Sequence, residues 1–249
     1  MTVQDNERER ELVRLFNLQW DAAHQRSGVD AYLDVRIATG QFRFEVEVKS
    51  TTGGTVSTAR DVGMDHIQKW RRKIFVIGFY SRAAGRPELK SCLCLTPLDM
   101  EPWINSIEQK ILPDFQIAQL ASKKLQLEDM FTVCGKKPHY TIADAKRLHK
   151  LQWSVEQYKD AEDLVMGGKR RISPTRMLDI FRLRSKYIAE RGATLNNPHI
   201  TKGHLGQFLG TGSEVTSDWA ERVRAMARSF VTQHADHPSV SPAMATGRP

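Results

Sequence analysis

Hydrophobic and polar residues alternate through residues 30–49, a pattern typical of two adjacent β-strands with one buried face. In the second strand, residues 42–49, every even position is apolar and every odd position is charged. The connecting turn is predicted at Thr39-Gly40, and a two-residue turn fixes which residues face each other across a hairpin. The predicted facing pairs are Asp34 with Glu45, Tyr32 with Glu47, and Asp30 with Lys49.

Further periodic segments predict helices around additional strands. They are a helix at 6–25, a helix or a loop leading into a helix at 57–72, a buried strand at 74–80, a strand at 89–95, and mainly helices beyond Pro97. We therefore predict an α/β (α+β) fold, in which helices flank a mixed central β-sheet and a mainly helical C-terminal elaboration follows. The expected domains are a core over 1–96, a helical elaboration packed on it over 97–235, and a disordered tail over 236–249.

One face of the predicted hairpin combines acidic side chains with one lysine. These residues are Asp30, Asp34, Glu45, Glu47 and Lys49. Like charges that lie opposite one another destabilise a sheet, so a cation from outside the chain is expected to neutralise them. Mg²⁺ suits this task because it prefers carboxylate and carbonyl oxygens.

An acidic residue on one strand, followed on the next by Glu-x-Lys, resembles the motif of the PD-(D/E)xK nuclease superfamily. The matching residues are Asp34 or Asp30, with Glu47-Val48-Lys49. The spacing admits both aspartates and neither follows a proline; Asp34 is favoured because it begins an alternating apolar segment. The resemblance covers roughly residues 8–95. That superfamily has three meandering strands before its second helix, whereas two are predicted here, so either a short strand lies near 26–29 or the sheet edge is remodelled.

The resemblance implies a catalytic core that hydrolyses phosphodiester bonds with Mg²⁺. Asp34, Glu47 and the carbonyl group of Val48 are the implied metal ligands. Lys49 is implied to position or deprotonate the attacking water and to balance the charge on the phosphate. Glu45, Asp30 and Glu11, the last on the first predicted helix, are additional acids that this site could use.

A structural interpretation of the same strand is the alternative. Alternating Glu and Lys often form only a solvated sheet face with cross-strand ion pairs. Four features favour the nuclease interpretation: the strongly apolar opposite face, the acidic strand before it, the glycine-bearing polar loop at 50–55, and the basic helix that follows.

Composition and charge favour an anionic partner. The chain has 37 Lys and Arg against 29 Asp and Glu, a formal charge of +8, and basic clusters neutralise nucleic-acid phosphates. No apolar run approaches the roughly 20 residues of a membrane span, and the three cysteines fit a reducing compartment. A mobile basic loop is predicted at 167–171. The predicted DNA-contacting residues are Ser50, Thr51, Thr52, Thr55, Arg60, Lys69, Lys169, Arg170 and Arg171.

Within the superfamily, a stand-alone chain of this kind resembles the type II restriction enzymes. The resemblance implies an endonuclease of a prokaryotic restriction-modification system, a cytoplasmic hydrolase that cuts double-stranded DNA at a specific sequence, often as a homodimer. No nucleotide cofactor is expected, because a phosphate-binding glycine loop is missing from the sequence, and no membrane partner is expected. The alternatives are a structure-directed or repair endonuclease of the same core, an RNA-processing enzyme, and a catalytically silent DNA-binding protein. From the sequence, Asp34→Ala, and not Asp30→Ala, is expected to abolish cleavage.

Overall fold

The computed structural model describes residues 3–20, 29–81 and 87–242, without the side chains of residues 3–6. The strands are β1 (Gln19–Trp20), β2 (Ala31–Ile37), β3 (Gly40–Thr51), β4 (Val56–Ser57), β5 (Lys73–Tyr80), β6 (Leu89–Leu95), β7 (Leu164–Met166), β8 (Lys169–Arg171), β9 (His199–Ile200), β10 (Glu214–Val215) and β11 (Ser241–Pro242). The helices are α1 (Val3–Leu15), α2 (Met64–Trp70), α3 (Pro97–Lys124), α4 (Leu127–Cys134), α5 (Ile142–His149), α6 (Val155–Asp160), α7 (Pro174–Gly192), α8 (Lys202–Gly206) and α9 (Trp219–Gln233). The predicted α/β class with a mixed central sheet is confirmed.

The main sheet has the strand order β1-β2-β3-β5-β6-β10, and β11 pairs with the start of β3. β2 and β3 are antiparallel, whereas β3 and β5 are parallel and are connected through α2. A parallel pair needs such a crossover connection, which a two-residue turn cannot supply. The charged strand β3 therefore lies inside the sheet, with hydrogen-bonded neighbours on both sides.

The apolar face of this sheet is covered by α1 and α9. Phe44 of β3, Leu12 and Phe16 of α1, and Phe230 of α9 are among the buried side chains of this core. Gly78 of β5 permits the close approach of α1, because a Cβ atom at this position would lie 2.9 Å from both methyl carbons of Leu12. Helices α1 and α9, from opposite ends of the chain, thus pack in one core.

The chain forms two compact units, which divide it differently from the predicted domains. Unit 1 comprises residues 1–109 and 195–249, and unit 2 comprises residues 110–194. Residues beyond 195 belong to unit 1 because β10 extends the sheet next to β6, β9 pairs with β4, and α9 packs on the core. Of the predicted tail, residues 236–242 include β11, and residues 243–249 lie outside the described part.

Unit 2 has its own core and a β-hairpin. Its buried residues include Tyr140, Tyr158, Ile172 and Ile180. Strands β7 and β8 form the hairpin, and its two-residue turn, Gly167-Gly168, has φ angles of 56° and 72°. Positive φ at both central positions suits a tight hairpin turn, and glycine adopts it without a steric penalty. The loop predicted at 167–171 is therefore wrong, since the segment is the tip and second strand of a hairpin.

The end of the first predicted helix is also wrong. The helix predicted at 6–25 ends at Leu15, because Asn17 adopts a left-handed conformation (φ 49°) and the chain then forms β1. Residues 21–28, including most of the short strand considered near 26–29, lie outside the described residues. Across the described parts of the chain, none of the helices has the length and apolar character needed to cross a membrane.

Candidate active site

The register of the β2–β3 hairpin differs from the predicted one. The turn is Ala38-Thr39, and Gly40 is the first residue of β3. Asp34 faces Arg43 and Tyr32 faces Glu45, so the predicted facing pairs are wrong by two residues. A shift of two residues leaves every side chain on its original face, and the hydrophobic pattern therefore fits both registers equally well.

Asp34 is bound by an arginine and a glutamine. Arg43 donates from Nε and Nη2 to the two carboxylate oxygens, both at 2.8 Å, and Gln19 Nε2 donates at 2.7 Å. The hydrogen bonds from Arg43 lower the pKa of Asp34, although partial burial opposes them. The carboxylate that the sequence favoured as a metal ligand thus belongs to a structural ion pair with Arg43, which lies four residue positions from Glu47 along β3.

Three oxygens converge on the ammonium group of Lys49. Lys49 Nζ lies 3.2 Å from Asp30 Oδ2, 2.8 Å from Glu47 Oε1 and 3.2 Å from the carbonyl oxygen of Val48. Asp30 is held in place because its Oδ2 also accepts a hydrogen bond from the Val48 amide at 3.0 Å. An ammonium group has three donors, and here three oxygens share it, one from Asp30 just before β2 and two from Glu47 and Val48 of β3.

Glu47 lies between two lysines. Its second oxygen, Oε2, accepts a hydrogen bond from Lys73 Nζ at 2.6 Å. The three residues are almost inaccessible, with 8% of Glu47, 6% of Lys49 and 4% of Lys73 exposed. Because they are buried, they do not form the solvated sheet face of the structural interpretation.

The charges of this cluster stabilise one another. Burial acts to raise the pKa of Glu47, but the ammonium groups of Lys49 and Lys73 outweigh it and lower this pKa to about 2. Burial likewise acts against the charge of Lys49, but the carboxylates of Glu47, Asp30 and Glu9 outweigh it and raise the pKa of Lys49. At neutral pH the cluster therefore contains an ionised glutamate and a protonated Lys49.

The other two acids that the sequence suggested have different neighbours. Glu11 accepts a hydrogen bond from the Tyr80 hydroxyl at 3.0 Å, on the α1 side of the sheet, where Tyr80 and Leu12 both approach Gly78. Burial, and secondarily the Glu11 carboxylate, raises the pKa of Tyr80. Glu45 is half-buried opposite Tyr32, in register with Lys73 on its other side.

The predicted DNA-contacting residues are divided between surface and interior. Thr55, Arg60, Lys69, Lys169 and Arg170 are exposed, and Thr52 and Arg171 are half-buried. The Ser50 hydroxyl is buried, and the Thr51 hydroxyl closes its own loop by donating to the Thr55 carbonyl at 2.8 Å and accepting from the Gly53 amide at 3.0 Å. The structure thus removes the hydroxyls of Ser50 and Thr51 from the surface that a nucleic acid can reach.

Lys73 is the site residue that the sequence did not identify as such. It was one of a run of basic residues, Arg71-Arg72-Lys73, directly before the apolar strand β5. Its proximity to Glu47 follows from the parallel pairing of β3 with β5, in which Lys73 lies beside Glu45. The sequence does show that Lys73 is a charged residue at the first position of the buried strand β5. It does not show which strand pairs with β5, because the fold sets that pairing.

The oxygens around Lys49 are of the kind that Mg²⁺ prefers. Two carboxylates and a carbonyl already converge on one cation, and Mg²⁺ is commonly bound by one or two carboxylates with waters completing the shell. Within the described ranges, no cluster of three or more His, Cys, Asp and Glu side chains could hold a metal ion. Two carboxylates and one carbonyl, from Asp30, Glu47 and Val48, fit a Mg²⁺ site only if water completes the shell.

The stability of the protein should depend on pH through Glu47. Because the pKa of Glu47 falls from 4.5 to about 2 on folding, the ionised form stabilises the fold fully above pH 4.5, and this contribution is lost as the pH falls towards 2. Glu47→Gln should lower the free energy of unfolding by about 3–5 kcal/mol at pH 7, as expected when a buried ion pair loses one partner. Urea unfolding at pH 7, 4, 3 and 2 should show the difference between wild type and variant shrinking; a constant difference would contradict the lowered pKa.

Comparison of the chain with protein-family models, curated proteins and solved structures finds no match in any of the three.

Proposed function

We propose that the protein is a Mg²⁺-dependent endonuclease that hydrolyses phosphodiester bonds of double-stranded DNA, of the type II restriction kind. The observation that carries the proposal is the convergence of Asp30 Oδ2, Glu47 Oε1 and the Val48 carbonyl on one cation, within 2.8–3.2 Å. The PD-(D/E)xK resemblance implies such a set of ligands: an acid, the glutamate of Glu-x-Lys and the adjoining carbonyl. Here the acid is Asp30 in place of Asp34.

The strand order also supports the proposal. β1 pairs with β2 and β2 with β3, both antiparallel, so three strands meander before the crossover helix α2. This is the arrangement that the resemblance calls for, and the third strand is the short β1. β5 then lies parallel to β3 and places Lys73 at Glu47.

Each side chain of the cluster has a proposed role. Asp30, Glu47 and the Val48 carbonyl would hold Mg²⁺, which, when bound, polarises the phosphoryl oxygen and lowers the pKa of a bound water. Lys49 is protonated, so we assign it to orienting the attacking water and balancing the negative charge that develops on the phosphate. The raised pKa of Lys49 argues against its acting as the base.

The distribution of charge supports a nucleic-acid partner. Residues 110–194, which form unit 2, contain 17 Lys and Arg against 10 Asp and Glu, a formal charge of +7 within the +8 of the whole chain. Unit 1 is nearly neutral by comparison. Phosphate neutralisation supplies most non-specific DNA affinity, so we assign much of that affinity to unit 2.

Digestion of a large DNA of known sequence tests the function. The wild type with Mg²⁺ is expected to give discrete fragments, whereas wild type with EDTA and Lys49→Ala with Mg²⁺ should give none. A smear that needs both Mg²⁺ and Lys49 would instead indicate the non-specific or structure-directed alternative of the same core. If neither form cuts DNA or RNA while the wild type binds DNA, the catalytically silent DNA-binding protein is the better description.

Neutralising the hairpin of unit 2 should weaken DNA binding in a salt-dependent way. Lys169 is exposed at the start of β8, next to the exposed side chain of Met166 across the turn. Arg170 donates to the carbonyl oxygen of Glu162 at 2.8 Å, and the half-buried Arg171 donates to that of Arg170 at 2.9 Å. Lys169→Ala with Arg171→Ala should reduce the slope of log affinity against log salt by about two, because each substitution leaves one DNA phosphate without its neutralising charge. Fluorescence anisotropy with a DNA duplex at several salt concentrations measures this slope.

The matched control neutralises two basic residues of unit 1. Lys90 and Arg222 are exposed, and the pair Lys90→Ala with Arg222→Ala changes the net charge by the same amount. An equal reduction of the slope in this control would show that net charge alone, and not the hairpin, governs binding.

A further inference from the structure

We propose that Lys73 is a resident counter-cation of Glu47 and that it opposes the binding of a divalent cation to the free protein. This inference rests on the proposed function, because it assumes that Glu47 is a metal ligand. It concerns a residue for which the Glu-x-Lys motif has no role.

The geometry shows a glutamate with both oxygens engaged. Glu47 Oε1 lies 2.8 Å from Lys49 Nζ, and Glu47 Oε2 lies 2.6 Å from Lys73 Nζ. Within the site the ammonium groups of Lys49 and Lys73 face the carboxylates of Asp30 and Glu47. A divalent cation that enters the site meets these two positive charges at hydrogen-bond distance from Glu47, one of its ligands.

Lys49 and Lys73 differ in what they contact. Lys49 is shared among the oxygens of Asp30, Glu47 and Val48, which are the proposed metal ligands themselves. Lys73 comes from the neighbouring strand and holds only Glu47 among these three, from the far side of the carboxylate. Its ammonium group can therefore remain in place while a metal ion takes the Oε1 side.

A lysine in this position has two opposing effects on metal affinity. Its hydrogen bond holds Glu47 in one orientation, which favours the metal, and its charge repels the metal. The site is buried, and Coulomb interactions are little screened there. The repulsion between the Lys73 ammonium group and a divalent ion bound to the same carboxylate therefore exceeds the gain from one orienting hydrogen bond. Removal of the charge should therefore strengthen metal binding.

Two substitutions separate these effects. Lys73→Gln keeps a hydrogen-bond donor without the charge, and Lys73→Met removes both while filling a buried site with a flexible side chain of similar length. The control is Lys90→Met, which removes an exposed lysine of β6 from an ion pair with Glu88. Binding of Mn²⁺, used as the paramagnetic probe, is measured by electron paramagnetic resonance on the full-length protein without DNA.

Both Lys73 variants are expected to bind Mn²⁺ at least about tenfold more tightly than wild type, and Lys90→Met should bind like wild type. Adding Glu47→Gln to either Lys73 variant should abolish the gain. If Lys73→Gln binds like wild type and Lys73→Met binds more weakly, Lys73 only orients Glu47 and the inference is overturned.

The remaining outcomes distinguish this inference from the proposed function. If the wild type binds Mn²⁺, Glu47→Gln abolishes this binding, and both Lys73 variants bind with unchanged affinity, the inference is overturned but the proposed metal site is retained. Failure of every variant to bind Mn²⁺ through Glu47 overturns both the inference and the proposed site.

Discussion

Replacing Glu47 by glutamine is expected to reduce the Mg²⁺-dependent cleavage of DNA by about 10³-fold or more, because the substitution removes an ionised ligand from the proposed metal site. Glutamine has nearly the same shape, but it is neutral and leaves Lys49 and Lys73 without the charge that they share. DNA binding, measured by anisotropy with Ca²⁺ in place of Mg²⁺, should stay within a few-fold of wild type, since Glu47 is buried and the basic surplus lies in unit 2.

Two further variants show whether the loss is specific. Glu88→Gln removes an exposed acid of unit 1 that pairs with Lys90, and it should cut DNA at the wild-type rate. Glu47→Asp keeps the charge but withdraws the carboxylate by one methylene group, and its cleavage rate should also fall by about 10²-fold, because metal and water positions depend on ångström-scale geometry. Retention of cleavage by Glu47→Gln, in protein whose circular dichroism spectrum is unchanged, would exclude Glu47 from the active site.

Asp30→Asn is expected to lower the cleavage rate by about 10²-fold or more, whereas Asp34→Asn should cut DNA almost as fast as wild type. This reverses the expectation from the sequence. Asp30 contacts Lys49 and the Val48 amide at the site, and Asp34 contacts Arg43 and Gln19. The two variants make the same chemical change four residues apart, at Asp30 just before β2 and at Asp34 within it, so each serves as the control for the other.

The stability of Asp34→Asn should fall only slightly. Asp34→Asn breaks a partly exposed ion pair with two hydrogen bonds from Arg43 and should lower the free energy of unfolding by about 1 kcal/mol. Urea unfolding of each variant gives this quantity. Loss of cleavage in Asp34→Asn, with normal cleavage in Asp30→Asn, would restore the original assignment and require the hairpin to rearrange when it binds DNA.

Much of the local structure could be predicted from the sequence. The strand at 89–95 is confirmed at the predicted position, since an apolar run is a signal carried by a few neighbouring residues. The β3 pattern also indicated correctly that Glu47 and Lys49 share a face. Prediction failed at the helix proposed for 6–25, where the amphipathic pattern continues past Leu15 but β1 pairs with β2 instead.

The sequence by itself determined which side chains could form a cation site, because alternation along a strand is a property of the backbone and assigns Glu47 and Lys49 to one face. It favoured Asp34 over Asp30 but did not fix the hairpin register, because both registers bury the same apolar residues and differ only in the turn. The tertiary structure pairs Asp34 with Arg43 and places Asp30 against Lys49, and our proposal of Asp30 as the ligand rests on these contacts. It also placed Lys73 against Glu47, 26 positions away in the chain, through the parallel pairing of β3 with β5. No local sequence pattern specifies that pairing.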